Sequence, residues 1–274
     1  MEEKFFDTKI KEIINENAQS NIKYSEFNKY IIPRVKNSIE SMWKIYGKYA
    51  PKNFKKKMLE SKECFYQRWW EMYLGIKLLE YGFNIETNSK DIGPDFKIVV
   101  NNEIYWIEAV APENGNSEIN SLEEMQINSV APLPKNEFLL RLGNAISNKI
   151  EKYEKYFQKG IVKNNDKLII AISTCNLGQY GSLMDFPCLA IDTILYGTGN
   201  LCINLKTKEK FVKRQKEIFK RNGSIINTGI FDEKSIISGI IYTHDEPLNI
   251  YGKIYFRKNP NIIVQDDFKE HFIV

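Results

Sequence analysis

The chain has 274 residues, 43% hydrophobic and 27% charged, with 39 Lys and Arg against 35 Asp and Glu. That length and balance suit one large domain or two small ones with a real core, and they exclude a disordered chain. The net charge of +4 decides nothing about nucleic acid, because local patches matter more than the sum.

In chain order, Met1-Glu2-Glu3-Lys4 is followed by no apolar leader, and the longest apolar runs are strand-sized. The expectation is a cytoplasmic chain without a membrane partner. Residues 5–59 read as several helices, with breaks near Pro33 and at Ala50-Pro51, forming an N-terminal helical extension over 1–60. The rest, 61–274, reads as one compact unit. A helix over 63–81 stops at Gly82, suited to a left-handed cap. Strand signals follow at 83–86, 96–100 and 103–110, then a polar loop over 112–135. A second helix spans 137–158 and ends before Gly160. Residues 168–173 are apolar and β-branched, a strand buried on both faces. Short strands (201–205, 236–242, 253–257) then alternate with helical pieces at 186–195 and 208–221. This order predicts an α/β (α+β) fold, a mixed central sheet flanked by helices.

Four cysteines without a CxxC pair and two histidines argue against structural zinc. A metal here would be held by oxygen, which points to magnesium, manganese or calcium. Two basic segments, 52–57 and 206–221, read either as phosphate contacts or as solvated helix faces. Tyr196-Gly197-Thr198-Gly199-Asn200 lacks a third glycine and reads as a turn, and His244-Asp245 as a loop beside Pro247.

The chemistry concentrates in GPDFKIVVNNEIYWIEAVAP, Gly93 to Pro112. Asn tolerates positive φ, so Asn101-Asn102 predicts a two-residue type I′ hairpin. Paired positions must then sum to 203, and Asp95 and Glu108 do. Facing each other across the ladder, they would bring like charges within about 5 Å, which calls for a cation or a raised pKa. A divalent ion bridging both carboxylates satisfies that need. The alternative is a longer loop, with both acids at a wet sheet end.

On the 137–158 helix, Phe138, Leu142, Ala145, Ile146, Tyr153 and Phe157 form one apolar stripe, and Lys149 falls inside it. An inward ammonium needs a partner, either the Asp95–Glu108 cluster or a bound phosphate, unless its stem merely covers apolar surface. Arg141, at the stripe's edge, is a phosphate contact or a surface ion pair with Glu137.

Pro94-Asp95, the short hairpin, Glu108 and a preceding helix glutamate, Glu71 in Gln67-Arg68-Trp69-Trp70-Glu71, resemble the PD-(D/E)xK nuclease superfamily over about 63–173. The resemblance implies a restriction endonuclease-like fold and magnesium-dependent hydrolysis of nucleic acid phosphodiesters, with manganese as a substitute. It implies Asp95 and Glu108 as metal ligands, the Ala109 carbonyl as a further one, and Glu71 in an accessory role. Glu71 as a buried acid paired with Arg68 is the competing assignment. The implied partner is nucleic acid, DNA ahead of RNA; a second copy of the chain, as a homodimer, is a separate expectation. The pattern departs at Val110, where the superfamily carries lysine, and Lys149 is the candidate replacement. A catalytically silent module that binds nucleic acid or a protein is the alternative function. A phosphotransferase has only the acids in its favour.

Overall fold

Ile32–Tyr46 (α1) and Phe54–Met58 (α2) lead into Lys62–Glu80 (α3). This is the arrangement in a computed structural model, which describes residues 32–87, 92–115, 122, 133–178, 180, 189–219, 223, 225–232, 235–250 and 252–273. Pro33 sits in the first turn of α1, where its missing N–H removes no helical bond, so it opens the helix rather than breaking one. The expected helices before residue 32 lie outside the described residues.

Ser61 caps α3, its hydroxyl accepting from the Cys64 N–H at 3.2 Å. The helix ends at Gly82 in the left-handed region (φ 86°). There the Phe83 N–H reaches the Leu78 carbonyl and the Gly82 N–H reaches Leu79, both at 3.0 Å.

Glu86–Thr87 (β1), Phe96–Val100 (β2) and Glu103–Val110 (β3) follow. Next come Lys135–Gln158 (α4), Lys167–Ser173 (β4) and Leu189–Tyr196 (α5). Thr198–Ile203 (β5) pairs with Lys210–Arg214 (β6), and Glu217–Phe219 (β7) with Ile225–Asn227 (β8). Gly239–Thr243 (β9), Ile254–Lys258 (β10) and Asp266–Lys269 (α6) finish the order.

The main sheet runs β1-β2-β3-β4-β9-β10. Strands β3, β4 and β9 are parallel and the flanking pairs antiparallel, so the sheet is mixed as expected. One face carries α1–α3 and α6 over Phe96, Ile107, Ala109 and Phe256. The other carries α4, α5 and β7 over Leu168, Ile170, Ile172 and Tyr242.

The hairpin matches the expected geometry. Asn101 (φ 50°) and Asn102 (φ 64°) both hold positive φ, and the register runs from Val100↔Glu103 to Phe96↔Ile107. Every one of those pairs sums to 203.

Two expectations fail. Of the strand expected at 83–86, only Glu86 pairs, continuing to Thr87. The helical piece expected at 208–221 is instead β6 and β7. Phe211, Val212, Ile218 and Phe219 recur at helical spacing, yet β6 finds its partner in β5 and β7 in β8. Inter-strand pairing overrides local pattern there. Most of the 112–135 loop lies outside the described residues.

Valine at position 102 would place a β-branched side chain at positive φ and is expected to cost about 1–3 kcal/mol. Asn102→Gly should leave stability within about 0.5 kcal/mol. Urea denaturation of the two variants checks this, and equal stabilities would contradict the turn geometry.

Candidate active site

Strand alternation sends Tyr105, Ile107 and Ala109 into the core beneath α3, while Trp106 and Val110 pack on the α4 side. Glu108 shares that second direction and is 0% exposed. Its neighbour in the register, Ile170, lies in the middle of β4. A carboxylate here is out of water and must be satisfied by protein groups.

Helix α4 supplies them. Lys149 Nζ lies 2.6 Å from Glu108 Oε2. Lys152 Nζ reaches both oxygens, 2.9 Å to Oε1 and 3.0 Å to Oε2. The Tyr156 hydroxyl is 3.0 Å from Oε1 and 2.8 Å from the Gly93 carbonyl; its one hydrogen serves one acceptor at a time. Residues 149, 152 and 156 lie within about 60° on the helix, so one face delivers all three. Past Tyr156 the helix stops at Gly160 (φ 67°), where the Ile161 N–H bonds the Tyr156 carbonyl at 3.0 Å.

Asp95 stands one residue before β2, where the register would set it opposite Glu108. Its Oδ2 accepts from the Ala109 N–H at 2.8 Å, which ties it across the hairpin. Oδ1 accepts no hydrogen bond among the described residues. Burial, then the negative charge of Asp95, raises the Glu108 pKa, with Lys149 and Lys152 opposing. The repulsion inferred from the hairpin is therefore present, and its compensation comes from two ammonium groups.

Glu71, on α3, is buried and pushed up to about 8, first by burial and then by Asp95. Its own partners are the Arg68 guanidinium and the Tyr46 hydroxyl, which donates at 3.4 Å. The paired buried acid is what the structure contains, though Asp95 lies near enough to act on Glu71 and Glu108 alike. Gly75, one turn on, admits the Tyr46 ring; a Cβ there would lie 2.5 Å from Tyr46 Cε2.

The Ala109 carbonyl already accepts from Gln67 Nε2 at 3.1 Å, and the Ala111 N–H donates to Gln67 Oε1 at 2.8 Å. One side chain thus clamps the end of β3, leaving the carbonyl a second lone pair. Arg141 lies eight residues before Lys149, about 12 Å along the helix, with its guanidinium against Gly115. The structure brings Asp95, Glu108 and Lys149 together, with Glu71 close by, and leaves Arg141 two turns away. Lys152, Tyr156 and Gln67 escaped the sequence reading. Helical spacing from Lys149 was the available signal for Lys152 and Tyr156.

No family model, curated protein or solved structure matches the chain. The site therefore stands on its own geometry. Among the described residues, no three His, Cys, Asp or Glu side chains gather closely enough to hold an ion alone. The oxygens that could share one are Asp95 Oδ1, the Glu108 carboxylate and the Ala109 carbonyl.

Between the ordinary carboxyl value of 4.5 and about 8, folded Glu71 keeps a proton that the unfolded chain has released. The native state binds more protons in that window, so stability falls as pH rises through it and levels off above. Melting curves should show Tm declining from pH 5 to pH 8.5, by about 2–4 °C per kcal/mol lost. Glu71→Gln should flatten the slope; an unchanged slope would mean that Glu71 is ionised when folded.

Proposed function

We propose that this chain is a divalent-metal-dependent nuclease of the PD-(D/E)xK type, hydrolysing phosphodiester bonds in DNA ahead of RNA. The observation that carries the reading is the meeting of Asp95, Glu108 and Lys149 from three separate elements, with Lys149 2.6 Å from Glu108. The order α3, antiparallel β1–β3, α4, then β4 parallel to β3 further supports a restriction endonuclease-like core. Lys149 brings an ammonium to the face that Val110 leaves aliphatic.

The donor set suits magnesium, since one or two carboxylates and a carbonyl with waters completing the shell is how that ion is commonly held. Asp95 Oδ1, with its open lone pairs, Glu108 and the Ala109 carbonyl would hold it. When bound, the ion would polarise a phosphoryl oxygen and lower the pKa of the attacking water.

The chain's own groups do the rest. Lys149 is 16% exposed and stays beside Glu108, where it offsets charge gathering on the phosphate. Lys152 is 42% exposed and is the partner free to leave Glu108 for solvent or substrate. Tyr156 keeps one Glu108 oxygen oriented through its hydroxyl. Glu71, with Arg68, sets the charge behind Asp95.

A second reading, a silent module that binds without cutting, has one observation in its favour. Both Glu108 oxygens are already met by lysine and tyrosine donors.

Cleavage of linear and circular DNA and of RNA, in magnesium or manganese against EDTA, separates the readings. Metal-dependent cutting is expected, with Glu108→Gln lowering the rate at least about 100-fold. Lys149→Ala should cost about 10–1000-fold, and more than Lys152→Ala. Binding without cutting in either metal would favour the silent module. Full activity in Lys149→Ala would remove Lys149 from the chemistry.

A further inference from the structure

Beside α4 stands a two-stranded ribbon that the main sheet does not use. Strands β5 and β6 form their own sheet, joined by a tip in which the Asn204 N–H bonds the Glu209 carbonyl at 2.9 Å. The Lys208 N–H bonds the Asn204 carbonyl at 2.8 Å, with Lys208 at positive φ. Asn204 Oδ1 also accepts from the Lys206 N–H at 3.0 Å, so the tip is a built turn.

The ribbon's charge is unlike that of the rest of the chain. Residues 198–216 hold six cations, Lys206, Lys208, Lys210, Lys213, Arg214 and Lys216, against one acid, Glu209. That local excess of +5 exceeds the chain's net +4, so the other 255 residues sum to −1. All six cations are exposed, and among the described residues none makes an ion pair.

The register sorts the side chains. Ile203 faces Lys210 and Leu201 faces Val212, so one ribbon face carries three aliphatics with Lys210 and Arg214 beside them. Leu201 is 67% exposed, and Leu205, at the tip between Asn204 and Lys206, is 81% exposed. Apolar groups flanked by uncompensated cations match a surface that is polyanionic at its rim and apolar between, as a nucleic acid groove is.

Placement agrees. Lys135 Nζ, at the start of α4, contacts Asn200 Oδ1 on β5 at 3.1 Å. Fourteen residues on, Lys149 stands about 21 Å away along the same helix, close to the width of one duplex. Arg141 lies between them.

We infer that the β5–β6 ribbon is the DNA-binding arm of this protein, seated in the major groove of a B-form duplex with its cations on the flanking phosphates. Two strands about 4.8 Å apart fit a groove about 12 Å wide, whereas the major groove of A-form RNA is too narrow to admit them. The inference rests on the reading of the Asp95–Glu108 site as acting on nucleic acid.

The test is fluorescence anisotropy with a labelled DNA duplex, in EDTA, over a salt series. It compares the wild-type chain and a variant with Lys206, Lys210, Lys213 and Arg214 all changed to Gln. The four positions are on the surface, and a thermal melt checks that the variant folds. Removing up to four phosphate contacts should weaken binding at least about tenfold and flatten log K against log salt by roughly 2–4. Glu108→Gln, which unpairs Lys149 and Lys152, serves only as the non-cutting control for the cutting assays.

Equal DNA affinity in the ribbon variant overturns the inference, as does equal binding of duplex RNA or no binding at all. So does sedimentation in which wild type is a dimer and the ribbon variant a monomer, since the ribbon would then face a second copy. Cutting assays on the same proteins keep the two ideas apart. Ribbon-dependent binding without cutting sinks the nuclease and leaves the arm. Cutting that is lost in Glu108→Gln but unchanged, in affinity and rate, by the ribbon variant sinks the arm and leaves the nuclease.

Discussion

The architecture turns on a carboxylate that has lost its water. Glu108 sits inside β3 with no exposed surface and with Asp95 beside it, so its charge must be met by groups from elsewhere in the chain. Helix α4 supplies them from one side, through Lys149, Lys152 and Tyr156. The electrostatic demand of one residue thereby selects the rotation of a 24-residue helix over the sheet. Tyr153, on the same helix, adds a hydroxyl 2.7 Å from the Ile169 carbonyl and 2.9 Å from the Trp106 carbonyl.

The opposite face is fixed by a different device. Helix α3 docks through directed polar contacts as well as aromatic bulk. Trp70 Nε1 donates to the Ala171 carbonyl at 3.0 Å, and Gln67 takes both a donor and an acceptor at the end of β3. The two devices meet at Ala109, whose N–H serves Asp95 and whose carbonyl serves Gln67. A short stretch of backbone thus links the helical layers on either side of the sheet.

What the sequence disclosed follows from how local each signal is. The hairpin was readable because two adjacent asparagines dictate the bend and arithmetic does the rest. The helices over 63–81 and 137–158 were readable from their glycine stops and periodic apolar faces, and Lys149 because it interrupts such a face. The 208–221 segment misled because its apolar residues recur at helical intervals while their partners lie in β5 and β8. Gln67 gave little hint, since a glutamine that satisfies a strand end looks like any other on a mostly buried helix. The antiparallel pairing of β10 with β9 likewise depends on contacts that no window of residues contains.

Tyr156 carries a consequence of its own. Its phenol lies between a peptide oxygen at the bend before β2 and the acid in β3, and it has a single hydrogen to give. The two acceptors are therefore rivals: when one claims that hydrogen, the other must lean on a different neighbour. The buried turn at Gly93 and the charge on Glu108 are thereby tied to each other through a single shared hydrogen.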